Sequence, residues 1–186
     1  MEAFSDGVFA VILTLMVLAL KTPYGNSIAA LRPILAVFVS YVLSFVYVAI
    51  YWNNHHHLLQ AAQHVTGGTL WANLHLLFWL SLTPWMTACI GGNHLAPWSV
   101  ALYGIILLFA AIAYFILVRT LIAHHGKESV LANSIGKDRK GIVSVFIYAA
   151  AIPMAFVQPA IACAAYVLVA IMWLVPDKRI ERRLAK

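Results

Sequence analysis

Acidic side chains are scarce in this sequence: six Asp and Glu against twelve Lys and Arg in 186 residues, with both signs together only 10% of the chain. Soluble domains carry about 25% charged and 45 to 50% apolar residues, whereas here 63% are hydrophobic and the mean hydropathy is +0.89. That balance excludes a soluble fold. Because a membrane-spanning helix takes about 20 mostly apolar residues, the length allows at most about six or seven spans with short connections and no added soluble domain.

Cysteine is nearly absent too. Cys89 and Cys163 each stand alone in an apolar run, without the spacing of a metal or redox motif, and are expected to be free, buried thiols. There is no TVGYG-like filter, no Walker or GxGxxG glycine pattern, no HExxH and no GxSxG. The spans also hold too few ionisable groups for an obvious proton-coupled transporter. Most basic residues fall in two clusters, Lys127 to Lys140 and Lys178 to Lys186, which flank apolar segments. They lack the aromatic-studded basic surface of a nucleic-acid binder and read as an orientation signal.

What remains is apolar runs punctuated by Gly, Pro and charge. They divide into six spans, about 4–22, 33–53, 70–90, 98–119, 141–158 and 160–176. The fold class expected is all-α integral membrane: one six-helix unit over residues 1–186, with no internal repeat. The first run lacks a basic leader and a small-residue cleavage site, so it is read as a mature span and not a signal peptide. Pro153 should kink the fifth span, and Gln158-Pro159 should make a tight hairpin into the sixth. Six spans place both termini on one side. Counting basic residues then gives ten on the side of the termini (Arg119, Lys127, Lys137, Arg139, Lys140, Lys178, Arg179, Arg182, Arg183, Lys186) against Lys21 and Arg32. By the positive-inside rule both termini are cytoplasmic. Trp52, Trp71, Trp98 and Trp173 lie near span ends, as interfacial aromatics do, and Asp177 to Lys186 reads as a short basic helix on the inner membrane face.

Three features bear chemistry. Asp6 is the single acidic residue within a span, and an intramembrane carboxylate costs several kcal/mol unless paired, hydrated or protonated. Its candidate partners are Ser5, Asn53, His55, His56, His57, Asn73 and His75; the plainer reading is that it complements the helix dipole in the first turn. Second, Val11, Thr14, Leu15 and Leu18 share a face of the first helix at i, i+3, i+4 and i+7, away from Asp6, Ala10 and Leu13. Such a stripe is most often packing or lipid contact. Third, Trp52-Asn53-Asn54-His55-His56-His57 forms a histidine-rich hinge after the second span, followed by His64 and His75. Imidazoles this close suit a transition metal or a proton relay, but consecutive rings spread around a helix and no acid or thiol lies within the hinge. Hydrogen bonding to Asp6 and backbone is the commoner role.

The segment from Phe4 to Leu18, FSDGVFAVILTLMVL, resembles the first helix of the transmembrane protein 175 family of potassium channels, in its single-repeat prokaryotic branch. Phe-Ser-Asp is that family's signature. The His-His pair after the second span and Asn73-Leu74-His75-Leu76-Leu77-Phe78-Trp79 with Pro84 add to the resemblance, which is specific over roughly the first half of the chain. It implies a homotetramer of six-helix subunits in the cell membrane, the pore lined by helix one of each subunit, with K⁺ as the permeant ion, no cofactor and no resident metal. It further implies aliphatic constriction layers at Val11, Leu15 and Leu18, a threonine ring at Thr14, and a structural or gating network of Phe4, Ser5, Asp6, His56, His57, Asn73 and His75. Two departures stand out. The basic residue usual four positions before the Phe would precede Met1, and Val11 is smaller than the usual Ile or Leu. Competing readings are a metal- or haem-binding membrane oxidoreductase using His55, His56, His57, His64 and His75, and a small-molecule transporter.

Overall fold

The structure, a computed structural model, describes residues 1–20, 22, 31, 34–62, 64–125 and 139–174, without the side chains of residues 125 and 139. The described residues contain helices and no strands: α1 (Glu2–Leu18), α2 (Leu35–Gln60), α3 (Gly67–Ser81), α4 (Thr83–Gly92), α5 (Pro97–His125), α6 (Arg139–Val157) and α7 (Pro159–Leu174). The third segment, Gly67–Gly92, is made of α3 and α4 together, so the seven described helices form six helical segments. Four are long and apolar enough to cross a membrane, Leu35–Gln60, Gly67–Gly92, Pro97–His124 and Lys140–Val157, while Pro159–Leu174 is apolar and shorter.

Several boundaries differ from the hydropathy reading. The expected hinge after residue 53 is instead the last two turns of α2, which runs unbroken to Gln60. Polar residues end a hydrophobic run without ending a helix, and here they reinforce it: Asn54 Nδ2 donates to the Ile50 carbonyl at 2.8 Å, and Gln60 lies 2.9 Å from His56 across one turn. Conversely the third span breaks at Leu82, between α3 and α4. Pro84 carries no N–H to continue the ladder and crowds the preceding turn. Pro153 sits inside α6, which continues through it to Val157, and Gln158 alone separates α6 from α7. Cys89 and Cys163 are free but half-buried, not fully enclosed. The basic cluster between residues 127 and 138, Lys21, Arg32 and the tail Asp177 to Lys186 lie outside the described residues.

Lipid tails are as apolar as Leu, so helices in a membrane are held by close packing and hydrogen bonds more than by apolar burial. Both devices are present. A Cβ at Gly91 would lie 2.6 Å from Val37 Cα, and one at Gly104 would meet the Tyr166 hydroxyl and lie 2.8 Å from its Cζ. The glycines are what let α4 approach α2, and α5 approach α7. The chain turns from α4 to α5 through His94 and Leu95, both left-handed at φ 48° and 61°.

Two cores result. One joins α1, α2, α3 and the second half of α5 around Phe9, Met16, Val48, Leu76 and Leu117. The other joins α4, the first half of α5, α6 and α7 around Met86, Val100, Tyr103, Tyr148 and Tyr166. Tyrosine hydroxyls lock the second: Tyr47 donates to the Tyr166 carbonyl, Tyr148 to Tyr47 at 3.2 Å, Tyr166 to the Val100 carbonyl at 3.1 Å, and Tyr103 joins Ser44 at 2.9 Å.

Candidate functional site

Helix α1 has two unlike sides. Ser5, Phe9, Ile12 and Met16, spaced i, i+4, i+7 and i+11, are buried against the subunit. The opposite side carries Phe4, Val11, Leu15 and Leu18, exposed at 61, 57, 51 and 73%. Thr14 is on the same side, exposed, its hydroxyl donating to the Ala10 carbonyl at 2.8 Å. That bond uses the one hydroxyl proton and leaves oxygen lone pairs directed away from the helix. Gly7 lies there too, and a Cβ on it would touch nothing within 4 Å. The four residues expected to line a path are thus together on one bare face of a single subunit.

The inward side begins with a chain of three buried polar groups. Ser5 Oγ donates to the Met1 carbonyl at 3.1 Å and accepts from Asn73 Nδ2 at 3.0 Å. Asn73 Oδ1 lies 2.6 Å from His55 Nε2. Since that partner is a carbonyl oxygen, the ring nitrogen must donate, which fixes the proton on Nε2. Ser5 and His55 are fully buried and Asn73 is 2% exposed; the His55 ring tilts against Phe9 with centroids 5.6 Å apart. This chain ties α1, α2 and α3 together.

Asp6 is not part of it. Its Oδ1 accepts from Trp52 Nε1 at 2.9 Å, and one turn earlier Glu2 Oε1 lies 3.0 Å from His56 Nδ1. Successive turns of α1 and α2 thus face each other with an acid on one and an aromatic N–H or imidazole on the other. His75 stands apart from both groups: it is exposed and accepts from Trp79 Nε1 at 3.0 Å within α3. His57 packs edge-on to His56, its Nδ1 buried without a hydrogen bond. Phe4 falls on the outward stripe, because position 4 lies on the arc of 11, 15 and 18 and not on that of 5 and 9.

The residues read from sequence therefore separate into three places: Ser5 and Asn73 in the buried chain, Asp6 and His56 in the acid-facing pair, and Phe4 with the pore candidates. Glu2 was not singled out, and His55 was named as a candidate partner of Asp6 and a hinge imidazole, whereas its partner is Asn73. Trp52 was read as an interfacial anchor, yet an indole N–H four residues before His56 is a ready donor for an acid on a neighbouring helix.

These features define an all-helical, multi-pass membrane protein whose first helix is anchored by polar bonds on one side and bare and aliphatic on the other. Residues 1–84 match the family model described as endosomal/lysosomal potassium channel TMEM175. A potassium channel of Chryseobacterium sp. is 53% identical over 184 residues, covering 99% of this chain and 96% of that one. A potassium channel of Streptomyces collinus is 32% identical over 124 residues, 61% of this chain and 59% of that one. The fold matches the crystal structure of a lysosomal potassium-selective channel TMEM175 homolog from Chamaesiphon minutus, with a TM-score of 0.81, 24% identity and 95% of each chain covered. The chain belongs to the TMEM175 family of potassium channels. That family consists of ion channels and not enzymes, which favours the channel reading over the oxidoreductase and transporter readings.

Proposed function

We propose that the chain conducts K⁺ with modest selectivity through a pore built from the α1 helices of four identical subunits, in the cell membrane with both termini cytoplasmic. The observation that supports this is the exposure of Val11, Thr14, Leu15 and Leu18 together on the side of α1 that its own subunit leaves uncovered. Four such faces around an axis give aliphatic layers at Val11, Leu15 and Leu18 with a hydroxyl layer at Thr14.

An aliphatic ring narrow enough to exclude water imposes a dehydration barrier, and such constrictions gate by dewetting. Closed is the resting state. Opening requires the four helices to tilt or rotate so that the ring widens. K⁺ then passes more easily than Na⁺, because it holds its hydration shell less tightly, and the outward lone pairs of Thr14 replace part of the lost water. No cofactor enters this mechanism. The buried chain of Ser5, Asn73 and His55 holds the inner side of α1 and contacts no ion.

K⁺ and Na⁺ efflux from liposomes holding purified protein tests the reading. Leu15→Ala and Leu18→Ala should raise leak of both ions, and Thr14→Ala should lower the K⁺ over Na⁺ preference. Unchanged fluxes and preference in all three would reject the pore assignment.

A further inference from the structure

We infer that Glu2, Asp6 and His56 form a site for a divalent transition-metal ion of the Zn²⁺ class, bridging the first turn and a half of α1 to the end of α2. One ligand atom from each lies within 4.8 Å of the other two. The spacing comes from the fold: Glu2 and Asp6 are i and i+4 on one face of α1, and His56 projects from α2 between them.

The geometry at His56 is that of converging ligands more than of an ion pair. Its Nδ1 is 3.0 Å from Glu2 Oε1, yet it is buried and makes no hydrogen bond. The nitrogen and oxygen approach without aligning, as two donors do when both are directed at a third point. Ligand atoms around a tetrahedral Zn²⁺, with bonds of about 2.0 to 2.2 Å, stand about 3.4 Å from each other. The three ligand atoms, one pair at 3.0 Å and all within 4.8 Å of one another, bracket that spacing.

Outer partners are in place as well. Trp52 Nε1 occupies Asp6 Oδ1 and leaves Oδ2 free. Gln60 lies 2.9 Å from His56 Nε2, and turning its amide over presents oxygen to the Nε2–H that a metal bound at Nδ1 requires. Hydrogen bonds of this kind orient ligating imidazoles and carboxylates. One imidazole with two carboxylates suits Zn²⁺ over Ca²⁺ or Mg²⁺, which take all-oxygen sites. Three protein ligands leave the fourth position to water.

Bound metal would clamp the start of α1 to α2. This consequence rests on the proposed function, because only if α1 moves in gating does the clamp slow conduction. The full-length protein in detergent, titrated with Zn²⁺ by calorimetry, should bind one tight equivalent per chain, with Ca²⁺ at least 100-fold weaker. Glu2→Gln and His56→Ala should each weaken that site at least 10-fold, while His94→Ala leaves it unchanged. Unaltered affinity in Glu2→Gln, which keeps the side-chain shape and does not depend on His56→Ala folding, overturns the site. In liposomes, Zn²⁺ should slow K⁺ efflux from wild type several-fold and leave Glu2→Gln unaffected. Tight 1:1 binding without slowed efflux overturns the clamp and leaves the site standing. Absence of K⁺ efflux even without Zn²⁺ counts against the proposed function alone.

Discussion

The two cores of this molecule treat their polar groups in opposite ways. Around α5, α6 and α7, tyrosines donate to backbone carbonyls or to one another, and Ser44, Thr87 and Tyr103 close among themselves. Around α1, α2 and α3, three successive imidazole nitrogens, Nδ1 of His55, His56 and His57, are buried without a hydrogen bond, and these are the unpartnered buried side-chain atoms among the described residues. The outward aliphatic stripe of α1 adjoins this second region. In a medium where an unmet polar group costs several kcal/mol, the comparison identifies α5 to α7 as scaffold. The α1 to α3 end is where the fold tolerates unmet polar groups and uncovered surface, as functional regions do.

Substitutions can break or sharpen this contrast. The largest effect is expected for Gly104→Ala in the scaffold. Its new methyl would displace the Tyr166 ring and with it the hydroxyl bond to Val100. Overpacking typically costs about 1 to 3 kcal/mol, and the lost bond adds to it. The variant should purify poorly or as aggregate, and a monodisperse protein with wild-type melting temperature would show the contact to be soft. Next comes Asn73→Leu, which strips His55 Nε2 and Ser5 Oγ of their shared partner. Leaving such groups unmet costs about 1 to 3 kcal/mol, so a melting temperature several degrees lower is expected in detergent. A change under one degree would mean that the buried chain does not hold α1.

Tyr148→Phe removes one hydroxyl from the scaffold but leaves Tyr47 its bond to the Tyr166 carbonyl. Hydrogen bonds between membrane helices average about 0.6 kcal/mol, so the thermal shift should be smaller than that of Asn73→Leu. A larger one would invert the comparison. Asp6→Asn should have the least effect on stability, because the amide oxygen can still accept from Trp52.

The six helical segments were legible because an apolar run of the right length has few alternatives to helix in a membrane. Their ends were less so. Asn53 to His57 look like a loop by hydropathy and are helix by hydrogen bonding, and Leu82 looks like helix and is a break set by Pro84 two residues on. Helical periodicity alone separated Val11, Thr14, Leu15 and Leu18 from Asp6, and the structure keeps that division. What periodicity could not give is which of three adjacent histidines turns inward. That depends on where α3 places Asn73, a contact 18 residues away in sequence from His55. Phe4 was grouped with Ser5 and Asp6 because the three are neighbours in a motif, yet consecutive side chains on a helix diverge by about 100°.

The central claim is that the bare face of α1 lines the ion path. It is tested most directly by thiol-reagent block of single cysteines, with Cys89 and Cys163 first replaced by alanine. A charged methanethiosulfonate should block K⁺ current through Leu15→Cys or Leu18→Cys and leave Val17→Cys, exposed on the flank of the stripe, conducting normally. Current through Leu15→Cys and Leu18→Cys that survives complete labelling would contradict it.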